Sequence, residues 1–130
     1  FDAYRVFYGQ ESDVEAAKAF LLERLKKEEN IVFIALKNNV AVGFTQLYPT
    51  FSSVSMRQFY ILNDLFVAPE VRKKGIGEQL LNHAKEFCQI NNSKGLALET
   101  AADNPAQKLY ERLGWEKDEA YLHYFWNNPK

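Results

Sequence analysis

The residues best able to do chemistry gather in one stretch, Arg72-Lys73-Lys74-Gly75-Ile76-Gly77-Glu78. Three cations and two glycines stand where an apolar run, Leu65-Phe66-Val67, gives way to a helical pattern. Glycine lets a backbone approach a ligand closely, and the unpaired N–H groups of a first helical turn carry partial positive charge. Phosphate oxygens suit such a turn, and the basic side chains add local charge. Read alone, the stretch serves equally well as a solvated basic turn whose glycines ease packing. Two other phosphate loops do not fit. A P-loop has Lys and then Ser or Thr after its last glycine, whereas Gly77 is followed by Glu78 and Gln79. A dinucleotide fingerprint needs a third small residue at the position of Leu80.

A second group of polar residues lies downstream, in Asp103-Asn104-Pro105-Ala106-Gln107-Lys108-Leu109-Tyr110-Glu111-Arg112-Leu113-Gly114-Trp115. Ala106, Leu109 and Leu113 form a helical stripe, Tyr110 lies beside it, and Gly114 is suited to cap the helix. On its own Tyr110 is a packing aromatic. Asn63 and Asp64 sit together in a strand pattern, and alternation sends them to opposite faces. His83 and His123 have no ligand spacing to a partner, so no metal site is expected. Cys88 falls on an apolar helix face as a small core residue.

The elements that must position these groups follow from periodicity. Ser12 and Glu15 form a capping box that opens a helix ending near Lys27, with Val14, Ala17, Phe20, Leu21 and Leu25 on one face. Strands are predicted over 31–36 and 40–48, joined by a tight turn at Asn38-Asn39, with Pro49 stopping the second. Residues 50–55 read as a mobile loop, and 58–67 as a third strand closed by Pro69. A helix over 75–91 buries Leu80, Leu81, Ala84, Phe87 and Cys88. A strand over 95–100, a helix over 105–113 and an aromatic strand over 120–126 complete the order. The long helix before the fourth strand makes that strand parallel to the third, and the rest antiparallel. A single α/β domain over 1–130 with a mixed sheet flanked by helices is the expected architecture.

The balance of residues removes whole function classes. Net charge is −1, so no global field favours nucleic acid or an anionic membrane. The single cysteine forbids an intrachain disulfide, and no apolar run spans a bilayer. No signal peptide opens the chain, so a cytoplasmic location is expected and the Asn91-Asn92-Ser93 sequon is chance.

Arg72-x-x-Gly75-x-Gly77 after a strand ending Asp64-Leu65-Phe66-Val67 resembles the pyrophosphate-binding signature of the GNAT N-acetyltransferase superfamily. The segment from Asp103 to Trp115 is similar to that family's Asn-led helix carrying Leu-Tyr and closed by Gly and an aromatic. The resemblance covers about residues 31–126 and implies an enzyme using acetyl-CoA as acyl-donor cosubstrate. It implies that the backbone of residues 73–78 holds the CoA pyrophosphate, with Arg72, Lys73 and Lys74 as local charge. Leu65, Phe66 and Val67 would pair with the pantetheine arm, an N–H near Leu65 would hold the oxyanion, and Tyr110 would protonate the leaving thiolate. The family's usual seven-residue count from Asn to Tyr lands on Asp103, with Asn104 one short, so either contacts CoA. Some polyamine-type relatives carry Glu where this chain has Asn63, which positions a water but takes no proton. Asp64, on the other face, reads as an exposed or structurally paired residue rather than the base. The family's first strand and the start of its first helix are not found, and residues 1–8 resemble only the end of that helix. The expected partner is a small-molecule or protein amine, with neither nucleic acid nor membrane; a homodimer is admitted and not fixed. A CoA-binding module that senses acyl-CoA without turnover is the other reading.

Overall fold

The computed structural model describes residues 1–129, and packing divides the chain into two compact units, Phe1–Glu99 and Thr100–Lys130. The first unit holds helices α1 (Asp2–Phe7) and α2 (Val14–Lys26), then strands β1 (Ile31–Lys37), β2 (Val40–Ser52) and β3 (Arg57–Val67). A 3-10 turn (Pro69–Val71), helix α3 (Ile76–Ile90) and the short strand β4 (Leu96–Ala97) follow. The sheet order is β1-β2-β3-β4, antiparallel across the first three strands and parallel between β3 and β4. This is the expected mixed α/β sheet with its crossover helix.

Local chemistry explains most element ends. Asn38 and Asn39 take φ of 51° and 64°, the left-handed pair that a tight β1–β2 hairpin requires. Gly75 caps α3 with φ of 82°, and Leu80, Leu81, Ala84 and Cys88 bury the amphipathic face of that helix. On the sheet side it meets the Tyr60 ring, whose centroid lies 5.2 Å from that of Phe87. Gly43 on β2 is forced by proximity. A Cβ there would stand 2.9 Å from the Phe66 carbonyl oxygen on β3, with Ile76 and Leu80 of α3 behind it.

Six expectations are corrected. The cap of α2 is Asp13, which accepts from Ala16 N–H at 3.0 Å, because Ser12 donates instead to the Asp2 carboxylate at 2.6 Å. Only Ala17 of that helix is buried, and Val14 is 60% exposed, so the expected apolar face covers little core. Pro49 does not stop β2, which continues to Ser52 with Pro49 opposite Tyr60; strand pairing replaces the first half of the expected loop 50–55. The fourth strand shrinks to Leu96–Ala97, and residues 120–126 form no strand, since aromatic alternation supplies propensity but no ladder partner.

The second unit holds turns, the helix α4 (Gln107–Arg112) and a following segment without regular secondary structure. Gly114, at φ 89°, closes α4: its N–H bonds Glu111 O at 3.1 Å and that of Trp115 bonds Tyr110 O at 3.0 Å. That pair of hydrogen bonds is a Schellman cap, the role its sequence position predicts.

Candidate active site

Between Val67 and α3 the backbone leaves donors outside the helical ladder. Lys73 takes φ of 63° and Gly75 of 82°, and no side chain caps α3. The first helical bond of this turn runs from Gln79 N–H to Gly75 O at 3.0 Å, which leaves the N–H groups of Ile76 and Gly77 ahead of the ladder. A Cβ on Gly77 would touch only Val67 Cγ2, at 3.9 Å. The space beside that backbone is therefore open, as a close-approaching anion requires. Ile76, Gly77 and Glu78 are half-buried in this first turn, and Lys73 and Lys74 are exposed at its mouth.

Arg72 has a different place from a simple phosphate cation. Its Nε donates to Val67 O at 2.8 Å, and its guanidinium lies 5.4 Å from the Phe7 ring centroid and 5.5 Å from that of Phe66. It ties the loop back to the end of β3, and α1 supplies one of its aromatic faces. Sequence reasoning had no signal for that tie, because Phe7 is 65 residues away in the chain.

The edge of β3 is half open. It pairs with β4 only at Tyr60↔Leu96 and Ile61↔Ala97, while β2 pairs along its length. Beyond Ile61 the side of β3 away from β2 has no strand partner among the described residues. Leu65, Phe66 and Val67, all half-buried, lie on this stretch directly before the glycine turn. An extended polar arm could add to that edge as a further strand does.

A bulge sits in the same stretch. Gln46 pairs with Asp64 but Leu47 pairs with Leu62, so Asn63 is an extra residue on β3. Strict alternation would put Tyr60 and Phe66 on one face. Instead the Tyr60 ring meets Phe87 of α3, while the Phe66 ring centroid lies 6.3 Å from that of Tyr4 on α1. The opposite-face expectation for Asn63 and Asp64 is thus overturned: Asn63 Nδ2 donates to Asp64 Oδ1 at 2.8 Å. Asp64 is 3% exposed and structurally paired, as one alternative for it held.

Asp64 anchors a buried chain of amides. Asn30 Nδ2 donates to Gln46 Oε1 at 2.6 Å, and Gln46 Nε2 donates to Asp64 Oδ2. Thr45 Oγ1 donates to Asp64 O at 2.8 Å, and the Tyr4 hydroxyl donates to Asn63 O at 3.2 Å, so both bulge carbonyls are held. Burial, followed by the nearby Asp64 carboxylate, pushes the Tyr4 phenol well above its ordinary range. Tyr48 is raised by burial and then by the same carboxylate. Tyr4, Asn30 and Gln46 escaped sequence reasoning, although Gln46 inside an apolar strand run was the available signal.

Within the second unit, Tyr110 is half-buried on α4, its ring centroid 6.1 Å from that of Trp115. Asn104 Oδ1 accepts from Ala106 N–H at 2.9 Å, which commits its carbonyl to the turn before α4; Asp103 is exposed. His83 meets the Phe33 ring at 4.6 Å, and Cys88 is buried with its thiol raised by that burial. Among the described residues no His, Cys, Asp and Glu gather into a metal-binding group.

Comparison with known proteins agrees with this geometry. The profile of the acetyltransferase (GNAT) domain matches residues 28–117. An uncharacterized N-acetyltransferase of Bacillus subtilis (strain 168), YhfO, is 51% identical over 130 residues, covering 99% of this chain and 87% of its own length. A crystal structure described as that of a probable acetyltransferase superposes with a TM-score of 0.93 at 37% identity, over 100% of this chain and 88% of the other. The aminoglycoside acetyltransferase AAC(6')-Iy, solved with the bisubstrate analogue CoA-S-monomethyl-acetylneamine, shares the fold. Its TM-score is 0.77 at 24% identity, over 98% of this chain and 89% of its own. The chain belongs to the GNAT family and is an acyl-CoA-dependent acetyltransferase.

Proposed function

We propose that this enzyme takes the acetyl group of acetyl-CoA directly to a primary amine, carried by a polyamine or amino-acid-like small molecule or by a protein. The observation that carries the reading is the open edge of β3 running into the glycine turn of α3. Backbone N–H groups of residues 73–78 hold the pyrophosphate, Lys73 and Lys74 add charge at the mouth, and Arg72 fixes the loop to Val67. Leu65, Phe66 and Val67 pair with the pantetheine arm, and an N–H near Leu65 faces the oxygen on which charge develops. The cosubstrate supplies an activated acyl group with a thiol leaving group. Tyr110 gives that thiol its proton, and either Asp103 or Asn104 contacts CoA. Of these two, the exposed Asp103 has side-chain oxygens without a hydrogen bond among the described residues.

Support for donor and amine acting together comes from the fold neighbour that carries one analogue joining CoA to an acetylated amine. The reading treats residues 1–130 as one catalytic domain working in the cytoplasm; no helix among the described residues is long and apolar enough to cross a membrane. The test is a panel of polyamines, amino acids, aminoglycosides and lysine peptides, scored by thiol release from acetyl-CoA. Turnover with a primary amine is expected. Silence across the panel, with CoA still bound, would leave only a binding role.

A further inference from the structure

The bulge turns two neighbouring side chains into a unit with a defined polarity. A carboxylate only accepts hydrogen bonds, so each amide that meets Asp64 must offer it an NH₂ group. Gln46 does so with Nε2 at Oδ2, and Asn63 with Nδ2 at Oδ1. Gln46 is itself 0% exposed and held at its oxygen by Asn30, so the far side of the carboxylate cannot adapt. The Tyr4 and Thr45 hydroxyls pin the carbonyls of both bulge residues. With Nδ2 committed, the atom that exposed Asn63 presents outward is Oδ1, which accepts no hydrogen bond among the described residues.

We propose that Asp64 is a positioning residue that locks the Asn63 amide with its oxygen toward the acceptor amine, making Asn63 Oδ1 a hydrogen-bond acceptor for the amine N–H. The inference rests on the acetyltransferase reading of the same strand. It assigns Asn63 the orienting of the free-base amine, and neither residue takes its proton. The transfer balances as amine plus thioester giving amide plus thiol. The N–C bond forms, the C–S bond breaks, the amine proton leaves to solvent and the thiolate is protonated. A primary amine keeps one hydrogen for Oδ1 after another is lost, whereas a secondary amine does not, so primary amines are preferred.

A double-mutant cycle tests the coupling. Asp64→Asn removes the acceptor-only character at nearly constant volume and lets the Asn63 amide turn over. It should lower kcat/KM for the best amine about tenfold while the acetyl-CoA dissociation constant is unchanged. In an Asn63→Ala background the same substitution should change kcat/KM less than about twofold, although its effect on melting temperature persists. Equal losses in both backgrounds would overturn the role, and a loss beyond about a hundredfold in both would instead mark Asp64 as a base. Should Asp64→Asn fail to fold, the side-chain amide of Asn63 in the parent protein decides by NMR. Slow hydrogen exchange with one downfield amide proton supports the lock, and free-amide behaviour overturns it. No turnover by the parent on any amine would overturn the acetyltransferase reading and this inference with it; turnover without coupling overturns the inference alone.

Discussion

Replacing Gly77 separates the fold from the anion site, because the two make different demands on that position. The Cβ of Gly77→Ala would meet only Val67 Cγ2, at ordinary van der Waals distance, and the φ at this helical residue needs no glycine. In a helix Ala is favoured over Gly by about 0.8–1 kcal/mol, and slightly less is expected in a first turn. The Ala variant should therefore melt no lower than the parent. Gly77→Val adds two methyls to the same open side, with a β-branched penalty of only a few tenths of a kcal/mol. Both place carbon where a pyrophosphate oxygen would approach the Ile76 and Gly77 N–H groups. Hydrogen bonds to a charged group are worth roughly 1.5–3 kcal/mol each, so losing two corresponds to at least about a hundredfold in CoA affinity. Calorimetry with CoA and with pantetheine, which has no phosphate, reads the effect directly. CoA affinity should fall steeply with Val and less with Ala, and pantetheine binding should not move. Unchanged CoA affinity in a folded Gly77→Val protein would refute the phosphate assignment.

Tyr110→Phe keeps the ring beside Trp115 and should leave acetyl-CoA affinity intact while kcat falls by about 10²–10⁴; equal turnover would remove Tyr110 from the chemistry. Gly43→Ala should destabilise by about 1–3 kcal/mol in denaturant titration, since its Cβ would press on the Phe66 carbonyl at 2.9 Å and the sheet must spread; a neutral result would show that β2 and β3 adjust freely. Stability should also fall as pH rises above 10, the ordinary Tyr value: there the unfolded chain loses the Tyr4 proton while the folded protein, whose phenol is raised, retains it. Tyr4→Phe should flatten that alkaline slope, and an unaltered slope would mean that other groups produce it.

How far the sequence could be read depended on whether a feature is local. The Asn38-Asn39 turn, the Gly114 cap and the amphipathic α3 were all legible, because each is settled by a few consecutive residues. The Ser12 cap failed because of a distant partner: Asp2 claims its hydroxyl, and Asp13 takes over the N-terminus of α2. Pro49 failed as a strand stop for a related reason. A missing N–H ends a strand only where a neighbour needs it, and here β2 carries on to Ser52 through Pro49. Arg72 was found as a cation, but not as the grip on Phe7, Phe66 and Val67 that it is.

The bulge at Asn63 was beyond any periodicity argument, because a period-2 reading assumes the very alternation that a bulge breaks. Its consequence runs from backbone to chemistry. One extra residue moves Asp64 and Phe66 to the face of α1, where the carboxylate meets Gln46 and Asn63, and Phe66 meets Arg72. The β3 edge beyond the β4 pairing therefore carries an oriented amide at one end and a tethered, glycine-opened turn at the other. An unbulged β3 would turn the Asp64 carboxylate to the Tyr60 face, against the apolar side of α3, where an unpaired charge costs several kcal/mol. The buried Gln46 is what makes the observed face tolerable for Asp64, since its amide replaces solvent on Oδ2. The polar pair inside the sheet and the bulge on its edge thus require each other, and together they set which atoms the open edge of β3 presents.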